Sequence, residues 1–326
     1  MYEKIGVYMV EVLRPEDIAS AYSKAKWVSP YSKILAMVDR EARVVEVHEF
    51  HARNKCVGGA AWEVYHYPRA SSLVLSARRE GARNVFVFKI GRGEVSLEPG
   101  VRGAGVEEVR IEEGEVKITY VGLVGGGVAA TLCRGMAEGV CRVEIHERGG
   151  GARVGRASLV LPLMEKLSIG VDDTDVKEAG ATWALLNEIA YSLELEGKAY
   201  YINHVITQLY TRNPHKTTNC VSIGVSFAVN PSSKEGVLRD LEEMLRKHTL
   251  SSHTGLAYMN KVLVPARLRR YGVEAKSRLL TLEDAYTVAE EVGVGLKPVT
   301  GERGLIGALA ALSFIDDPDE AVKVYA

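Results

Sequence analysis

GVDDTDVKEAGAT, residues 170–182, is the stretch on which the reading of this chain turns. Asp172, Asp173 and Asp175 place three carboxylates almost side by side. The apolar run LSIG before them reads as the end of a strand. Ala184, Leu185, Leu186, Ile189, Ala190 and Leu193 after them have the three-and-four spacing of a helix with one buried face. The acidic cluster therefore falls where a strand gives way to a helix, at the sheet edge where open sheets place ligands. A chain extended through the cluster puts Asp173 and Asp175 on one face and Asp172 on the other. Carboxylates on one face repel unless a cation lies between them. Hard oxygen donors suit Mg²⁺, which binds through one or two carboxylates plus substrate phosphates. Thr174 and Thr182 add hydroxyls, and Gly180 lets backbone approach a ligand closely. The competing reading is a solvated acidic turn that caps the helix.

Downstream, residues 199–207 and 221–229 read as strands, joined by QLYTRNPHKTTNC, residues 208–220. This loop concentrates Arg212, His215 and Lys216 with the amides and hydroxyls of Asn213, Thr217 and Asn219. A cationic loop opposite an acidic metal site is what a nucleoside triphosphate needs; a solvated surface loop is the alternative. Residues 232–246 carry a helical core stripe of Val237, Leu238, Leu241, Met244 and Leu245. Residues 261–278 hold Lys261, Arg267, Arg269, Arg270, Lys276 and Arg278 against Glu274 alone, either a solvated helix face or a surface for an anionic partner. Residues 300–311 read as a loop entering an almost wholly apolar helix, with Arg303 near its N-terminus.

Upstream, residues 16–26 read as a helix, and residues 33–38 and 43–47 as a hairpin. His48, His51 and Cys56 fall close together; a soft-ligand metal site and ordinary polar and core roles are the two readings, and the spacing matches no zinc pattern. Gly58 and Gly59 form a glycine pair between strand and helix, suited to cradling an anion or to tight packing. Residues 71–79 read as a helix, 84–90 as a strand, and 106–111 with 115–120 as a hairpin. The glycine run at 122–127 opens a helix and Gly149–Gly151 separates two strands; each is a candidate ligand loop or a plain turn. The class expected is α+β, two packed units with mixed, mostly antiparallel sheets. Residues 1–161 form an N-terminal α+β domain with glycine-rich loops, and residues 162–326 the domain containing DDTD.

The 326 residues suffice for two domains, and 41 lysines and arginines against 42 aspartates and glutamates leave a net charge of −1, which excludes a whole-surface nucleic-acid binder. No secretory signal opens the chain and no apolar run is long enough to span a membrane. The four cysteines form no CxxC pair. A reduced, cytoplasmic protein without membrane contact is expected.

GVDDTD with Thr182, NPHKTTN and ERGLIGALAAL, in that order over residues 166–312, resemble the kinase-like and adjoining ferredoxin-like regions of archaeal tRNA(Ile) agmatinylcytidine synthase. The resemblance implies Asp172, Asp173 and Asp175 as metal or ATP residues and Thr182 as the threonine of phosphoryl transfer. It also implies Asn213, Lys216 and Thr217 as phosphate-side residues. That family's two-threonine segment is here Gly180-Ala181-Thr182-Trp183, and its tryptophan-lysine-threonine is His215-Lys216-Thr217. Its tRNA-holding OB-fold and zinc ribbon have no counterpart, so tRNA is not expected as a partner. KCVGGAAWEVYHYPR, CRGMAEGV, GVDDTDVKEAGATW and QLYTRNPHKTTNCVSIGV together resemble the methanogenesis marker protein eleven family over nearly the whole length, which implies a link to methane metabolism.

The function expected is an ATP- and Mg²⁺-dependent phosphoryl transfer to an unknown acceptor, with amine condensation as an optional second step. Asp172, Asp173, Thr182 and Lys216 are its candidate catalytic residues. Thr174, Gly180, Arg212, Asn213, Lys216, Thr217 and Asn219 are the candidate nucleotide contacts, and Asp172, Asp173 and Asp175 the metal ligands. The alternatives are a nucleotide-sensing assembly or maturation factor with a protein partner in the methanogenesis machinery, and an RNA-modifying enzyme.

Overall fold

The computed structural model describes residues 2–5, 8–22, 24–151 and 153–325, with the backbone alone for 2–5, 8 and 9. The chain divides into two units, Met1–Met164 and Glu165–Ala326. The first contains β1 (Tyr2–Ile5), β2 (Tyr8–Leu13), α1 (Pro15–Tyr22), β3 (Lys33–Asp39), β4 (Val44–Phe50), α2 (Val57–Ala70), β5 (Val74–Glu80), β6 (Arg83–Lys89), β7 (Gly91–Arg92), β8 (Ala104–Glu112), β9 (Glu115–Gly122), α3 (Gly126–Arg134), β10 (Arg142–Glu147) and β11 (Gly155–Pro162). They form a seven-stranded sheet, β1-β2-β10-β11-β9-β8-β7, and a four-stranded sheet, β3-β4-β6-β5. One core joins them: Ala36, Val45, Val47, Phe86 and Phe88 from the smaller sheet pack with Val106, Ile118, Tyr120, Val143 and Leu159 from the larger.

The second unit contains β12 (Glu165–Asp172), α4 (Thr182–Leu195), β13 (Tyr200–Gln208), β14 (Val221–Val229), α5 (Lys234–His248), β15 (Gly255–Met259), α6 (Ala266–Ser277), α7 (Leu282–Val292), β16 (Gly295–Pro298), α8 (Gly304–Leu312) and α9 (Pro318–Ala321). Its sheet runs β13-β14-β12-β15-β16, antiparallel throughout. Strand alternation sorts β12 into two faces. Leu167, Ile169 and Val171 join Leu186, Ile189 and Leu193 of α4 and Leu238, Leu241 and Leu245 of α5 in one core. On the other face, Gly170 leaves no room for a β-carbon against the Ala308 carbonyl, and one on its neighbour Gly224 would press on the Ile315 side chain and the Ala311 carbonyl, so α8 lies flat on the sheet. That close approach explains why α8 is built of glycine, alanine and leucine, and it sets what the next residue on the same face, Asp172, can meet.

The α+β class with mostly antiparallel sheets agrees with the expectation. Several local expectations do not. Residues 71–79, expected as a helix, give β5, because Val74–Glu80 pairs along β6 and tertiary pairing overrides local propensity. The helix expected over 16–26 is α1, ending at Tyr22; Ser23 lies outside the described residues. Gly58 and Gly59 lie inside the first turn of α2 rather than in a loop before it. His48 pairs with Glu46, His51 faces Glu63, and among the described residues no three histidine, cysteine, aspartate or glutamate side chains gather as a metal site.

The basic stretch 261–278 is largely satisfied internally. Arg267 pairs with Glu291, Arg269 with Asp316 and Arg278 with Glu274. Lys276 is buried, donating to the carbonyls of Glu320, Ala321 and Lys323 at 2.8, 2.6 and 2.9 Å and lying over the Phe314 ring. Lys276→Met leaves those carbonyls without their donor, so a loss of about 1–3 kcal/mol in denaturant unfolding is expected. An unchanged midpoint would show that the lysine does not hold the C-terminal segment. No helix among the described residues is long and apolar enough to cross a membrane.

Candidate functional site

Asp172 is the last residue of β12, paired with Gly255 of β15. Its carboxylate lies against α8, where a β-carbon on Gly307 would collide with Oδ2. Its Oδ1 accepts the N–H of Asp173 at 2.8 Å. Asp173 has φ of 58°, so the strand's alternation stops there and the extended geometry expected through Asp175 is not formed. This left-handed residue turns the chain, and the Thr254 hydroxyl donates to its carbonyl at 2.7 Å. The Asp173 carboxylate is held by Arg303, with Nε on Oδ2 at 2.8 Å and Nη2 on Oδ1 at 3.2 Å. Thr174 is buried and donates to the Thr182 hydroxyl at 3.0 Å. Leu250 N–H and the Thr249 hydroxyl bind the Thr174 carbonyl. The turn is thus fixed from both sides. Gly180, at φ of 94°, packs on Asp175, where a side chain would not fit. Asp175 in turn accepts from Thr217 at 3.2 Å.

Thr217 belongs to the loop between β13 and β14, closed at its base by Leu209 N–H on the Cys220 carbonyl at 2.8 Å. The Asn213 side chain accepts the N–H of His215 at 2.9 Å, and Lys216 Nζ donates to the Thr211 carbonyl at 2.6 Å. Lys216 is exposed, so its ammonium is tethered but reachable.

These segments enclose a cavity of about 510 Å³, within the range of small-molecule sites. Asp172, Asp173 and Asp175 lie on its wall together with Gly180, Thr182, Asn213, Lys216, Thr217 and Asn219. Of the residues expected at the site, two lie elsewhere. Thr174 is behind the wall, as the buried partner of Thr182, and Arg212 is exposed on the loop away from the cavity. Arg303, Arg278 and Trp183 line the cavity, as do Leu279, Leu280, Leu282 and Ile306. None of these was among the candidate site residues. Arg303 lies 130 positions from Asp173, and only its place before an apolar helix marked it.

Burial pushes the Asp172 carboxyl well above the usual carboxylate range, and the Asp173 charge adds to this. Burial also raises Asp175. Burial, then Asp172, pushes the Cys220 thiol up to about 11. The hydrogen bonds that Arg303 donates to the Asp173 carboxylate raise the Arg303 pKa. Both carboxyl shifts disfavour the charged carboxylates, and a cation between Asp172 and Asp175 would offset them. Among the described residues Asp172, Asp173 and Asp175 do not gather as a three-ligand metal site either: Arg303 holds Asp173, which leaves Asp172 and Asp175 as the two oxygen donors suited to a hard cation. Gly307→Ala forces the Asp172 carboxylate aside; any ligand affinity that depends on Asp172 is expected to fall while far-ultraviolet dichroism stays unchanged. Unaltered affinity would remove Asp172 from the site.

Comparisons with known proteins bear on this unit. The family model for the TiaS TCKD domain matches residues 168–239, from β12 into α5. The chain is 43% identical over 294 residues to Uncharacterized protein MJ0921 of Methanocaldococcus jannaschii, covering 90% of this chain and 97% of that one. It is 26% and 28% identical to the isoleucine-tRNA 2-agmatinylcytidine synthetases TiaS of Pyrococcus horikoshii and Thermococcus sibiricus, over 45% and 46% of this chain and 35% of each synthetase. The chain therefore spans little more than a third of the synthetases' length. A solved complex of TiaS with its isoleucine tRNA and ATP matches at 21% identity over 46% of this chain and 36% of that one, with a TM-score of 0.42.

Proposed function

We propose that this chain, which belongs to the family of Uncharacterized protein MJ0921 of Methanocaldococcus jannaschii, binds ATP with Mg²⁺ in the second unit and transfers a phosphoryl group. The observation that carries the reading is the cavity that brings Asp172, Asp173 and Asp175 together with Lys216 and Arg303. Carboxylates and cations in the lining suit a metal–polyphosphate, and the apolar lining residues Leu279, Leu280 and Ile306 suit a base or other flat apolar group. The family model matched in this unit is that of the TiaS TCKD domain, and the curated relatives matched there are named as synthetases.

Asp172 and Asp175 would hold Mg²⁺, which supplies charge neutralisation across the phosphates. Arg303 and Lys216 would carry the charge that develops on the transferred group. Such chemistry rests mainly on positioning and electrostatics. Thr182, at the start of α4 and bonded to Thr174, would contact the phosphates with Asn213 and Thr217. The acceptor oxygen attacks phosphorus, the bond to the leaving ADP breaks, and the acceptor's proton is lost. With an amine present, the amine nitrogen would then bond to the activated carbon of the acceptor, the bond from that carbon to the phosphate oxygen would break, and phosphate would leave.

The acceptor is the open term. The motif resemblance to the methanogenesis marker protein eleven family, over nearly the whole length, supports an acceptor, or a protein partner, in methane metabolism. The expectation that tRNA is no partner has no support from the relatives, which are named for a tRNA product, so tRNA belongs among the acceptors tested. ADP release is measured with Mg²⁺ and ATP, alone and with bulk tRNA. Turnover lost in Arg303→Ala is expected. Turnover equal in wild type and variant would overturn the assignment of this cavity, and ATP binding without turnover under any addition would favour the nucleotide-sensing reading.

A further inference from the structure

Three carboxylates line the cavity of the second unit, and among the described residues Asp173 is the one that carries an ion pair. Asp172 takes a backbone N–H and Asp175 the Thr217 hydroxyl. Arg303 donates to both oxygens of Asp173, from Nε at 2.8 Å and from Nη2 at 3.2 Å. Lys216, another cation on that wall, is tied instead to the Thr211 carbonyl, a neutral acceptor.

The backbone on both sides of the ion pair is fixed. The Asp173 N–H is bonded to the Asp172 carboxylate, and the Asp173 carbonyl accepts from the Thr254 hydroxyl. Arg303 stands at the N-cap of α8. The next residue, Gly304, lies so close to the Asp172 carbonyl oxygen that a β-carbon on it would fall 2.7 Å away. What is left free to move is the long arginine side chain, 34% exposed against 16% for that of Asp173. Both residues line the cavity, so the arginine can turn from the carboxylate toward a ligand without any change of backbone.

A guanidinium takes carboxylate and phosphate with the same forked geometry. A bare divalent cation reaching this turn meets a positive charge and finds one of the carboxylates engaged. A cation that arrives on a polyphosphate brings an anion for the arginine with it. Phosphate oxygens take over the guanidinium, and Asp173 is released toward the cation. The metal–polyphosphate complex thus satisfies both members of the pair, whereas a free cation leaves the arginine without an anion and a free polyphosphate leaves the carboxylate without a cation.

We propose that Arg303 is the specificity-determining residue of this site: its exchange from Asp173 to phosphate reserves the DDTD turn for a metal–polyphosphate complex against free divalent cations. The inference rests on the metal–nucleotide reading of the cavity and adds which species that cavity accepts. Only ion pairs and hydrogen bonds change partners. Metal and polyphosphate each raise the affinity for the other, because each removes one half of the ion pair that opposes the other.

The test uses Mn²⁺, a hard divalent probe of oxygen sites, on the full chain. Mn²⁺ is titrated alone, with the paramagnetic resonance of the unbound ion as the readout, and then as its one-to-one complex with the β,γ-methylene analogue of ATP, by calorimetry. Arg303→Met is expected to bind Mn²⁺ alone at least about tenfold more tightly than the wild type. It is expected to bind the complex at least about tenfold more weakly, because the phosphates lose the guanidinium. A damaged fold would weaken both, so the opposite signs report the exchange. Lys216→Met removes the same charge from the same wall without releasing a carboxylate, and a gain for Mn²⁺ alone of no more than about threefold is expected. Arg303→Gln is expected to repeat the behaviour of Arg303→Met and stands in for it if methionine is not tolerated. No gain for Mn²⁺ alone in the Arg303 variants, or equal gains in the Arg303 and Lys216 variants, overturns the proposal. If the wild type binds the complex in those cases, the metal–nucleotide reading stands and the exchange alone falls. A wild type that does not bind the complex overturns both.

Discussion

Asp172→Asn is expected to abolish magnesium-dependent ATP binding while leaving the protein as stable as the wild type or more so. The wild-type carboxylate is a liability to the fold: burial and the neighbouring Asp173 disfavour its ionised form. A group whose folded pKa is raised contributes stability that is full below its unfolded value, in the ordinary carboxylate range. That stability is lost as pH rises toward the raised folded value. Asparagine keeps the shape and removes the charge, so the variant's unfolding midpoint is expected to lack the decline that the wild type shows from the carboxylate range upward. The function moves the other way. A neutral amide cannot neutralise Mg²⁺ beside triphosphate, and loss of one such electrostatic contact typically costs about a hundredfold to a thousandfold in turnover. Stability retained with activity lost is the signature of a residue kept for chemistry. A variant that still binds and turns over ATP would remove Asp172 from that role.

The second large effect is expected in the first unit. Arg134 is completely buried. It grips Glu49 through Nε at 2.7 Å and Nη2 at 2.8 Å, reaches Glu63 at 2.9 Å, and lies over the rings of Tyr31 and Tyr120. Arg134→Met leaves two buried carboxylates without a counter-charge, and a loss of about 3–5 kcal/mol is expected. Adding Glu49→Gln and Glu63→Gln to that variant is expected to recover much of it, because the penalty comes from stranded charge. Failure to recover would assign the loss to packing. The cluster also dictates an acid limit. Burial pushes the Glu63 carboxyl up, but Arg134, then His51 and Tyr31, overcome it and hold the group at about 2. A depressed folded pKa gives stability that is full above the unfolded value and lost as pH falls through the folded one. The unfolding midpoint of the wild type is therefore expected to drop between about pH 4.5 and 2, and Glu63→Gln to flatten that drop.

What the sequence made legible was local. LSIG, DDTD and the apolar spacing after Thr182 lie within one strand–turn–helix, and β12 and α4 form there. The loop with Asn213, Lys216 and Thr217 returns to the same cavity because antiparallel strands carry it there. Two things could not be read from spacing. The left-handed backbone at Asp173 ends the alternation, so the carboxylates do not share faces as an extended chain would have them. Arg303 arrives through the packing of α8 on Gly170 and Gly255, a contact between segments far apart in sequence. In the first unit, periodicity weighs apolar residues only, so it marked the helix containing Arg134 without marking the arginine at its end. The strand β5 was read as a helix because its pairing with β6, and not its own residues, decides its conformation.

The most direct measurement is a thermal-shift titration with ATP, with and without Mg²⁺, on the wild type and on Asp172→Asn. At about a hundred times its dissociation constant a ligand stabilises the fold by about 2.7 kcal/mol, a shift that is easily seen. A shift that requires Mg²⁺ and vanishes in the variant is the result expected of a metal–nucleotide site on the DDTD turn. The same shift in both proteins, or none with any nucleotide, would contradict it.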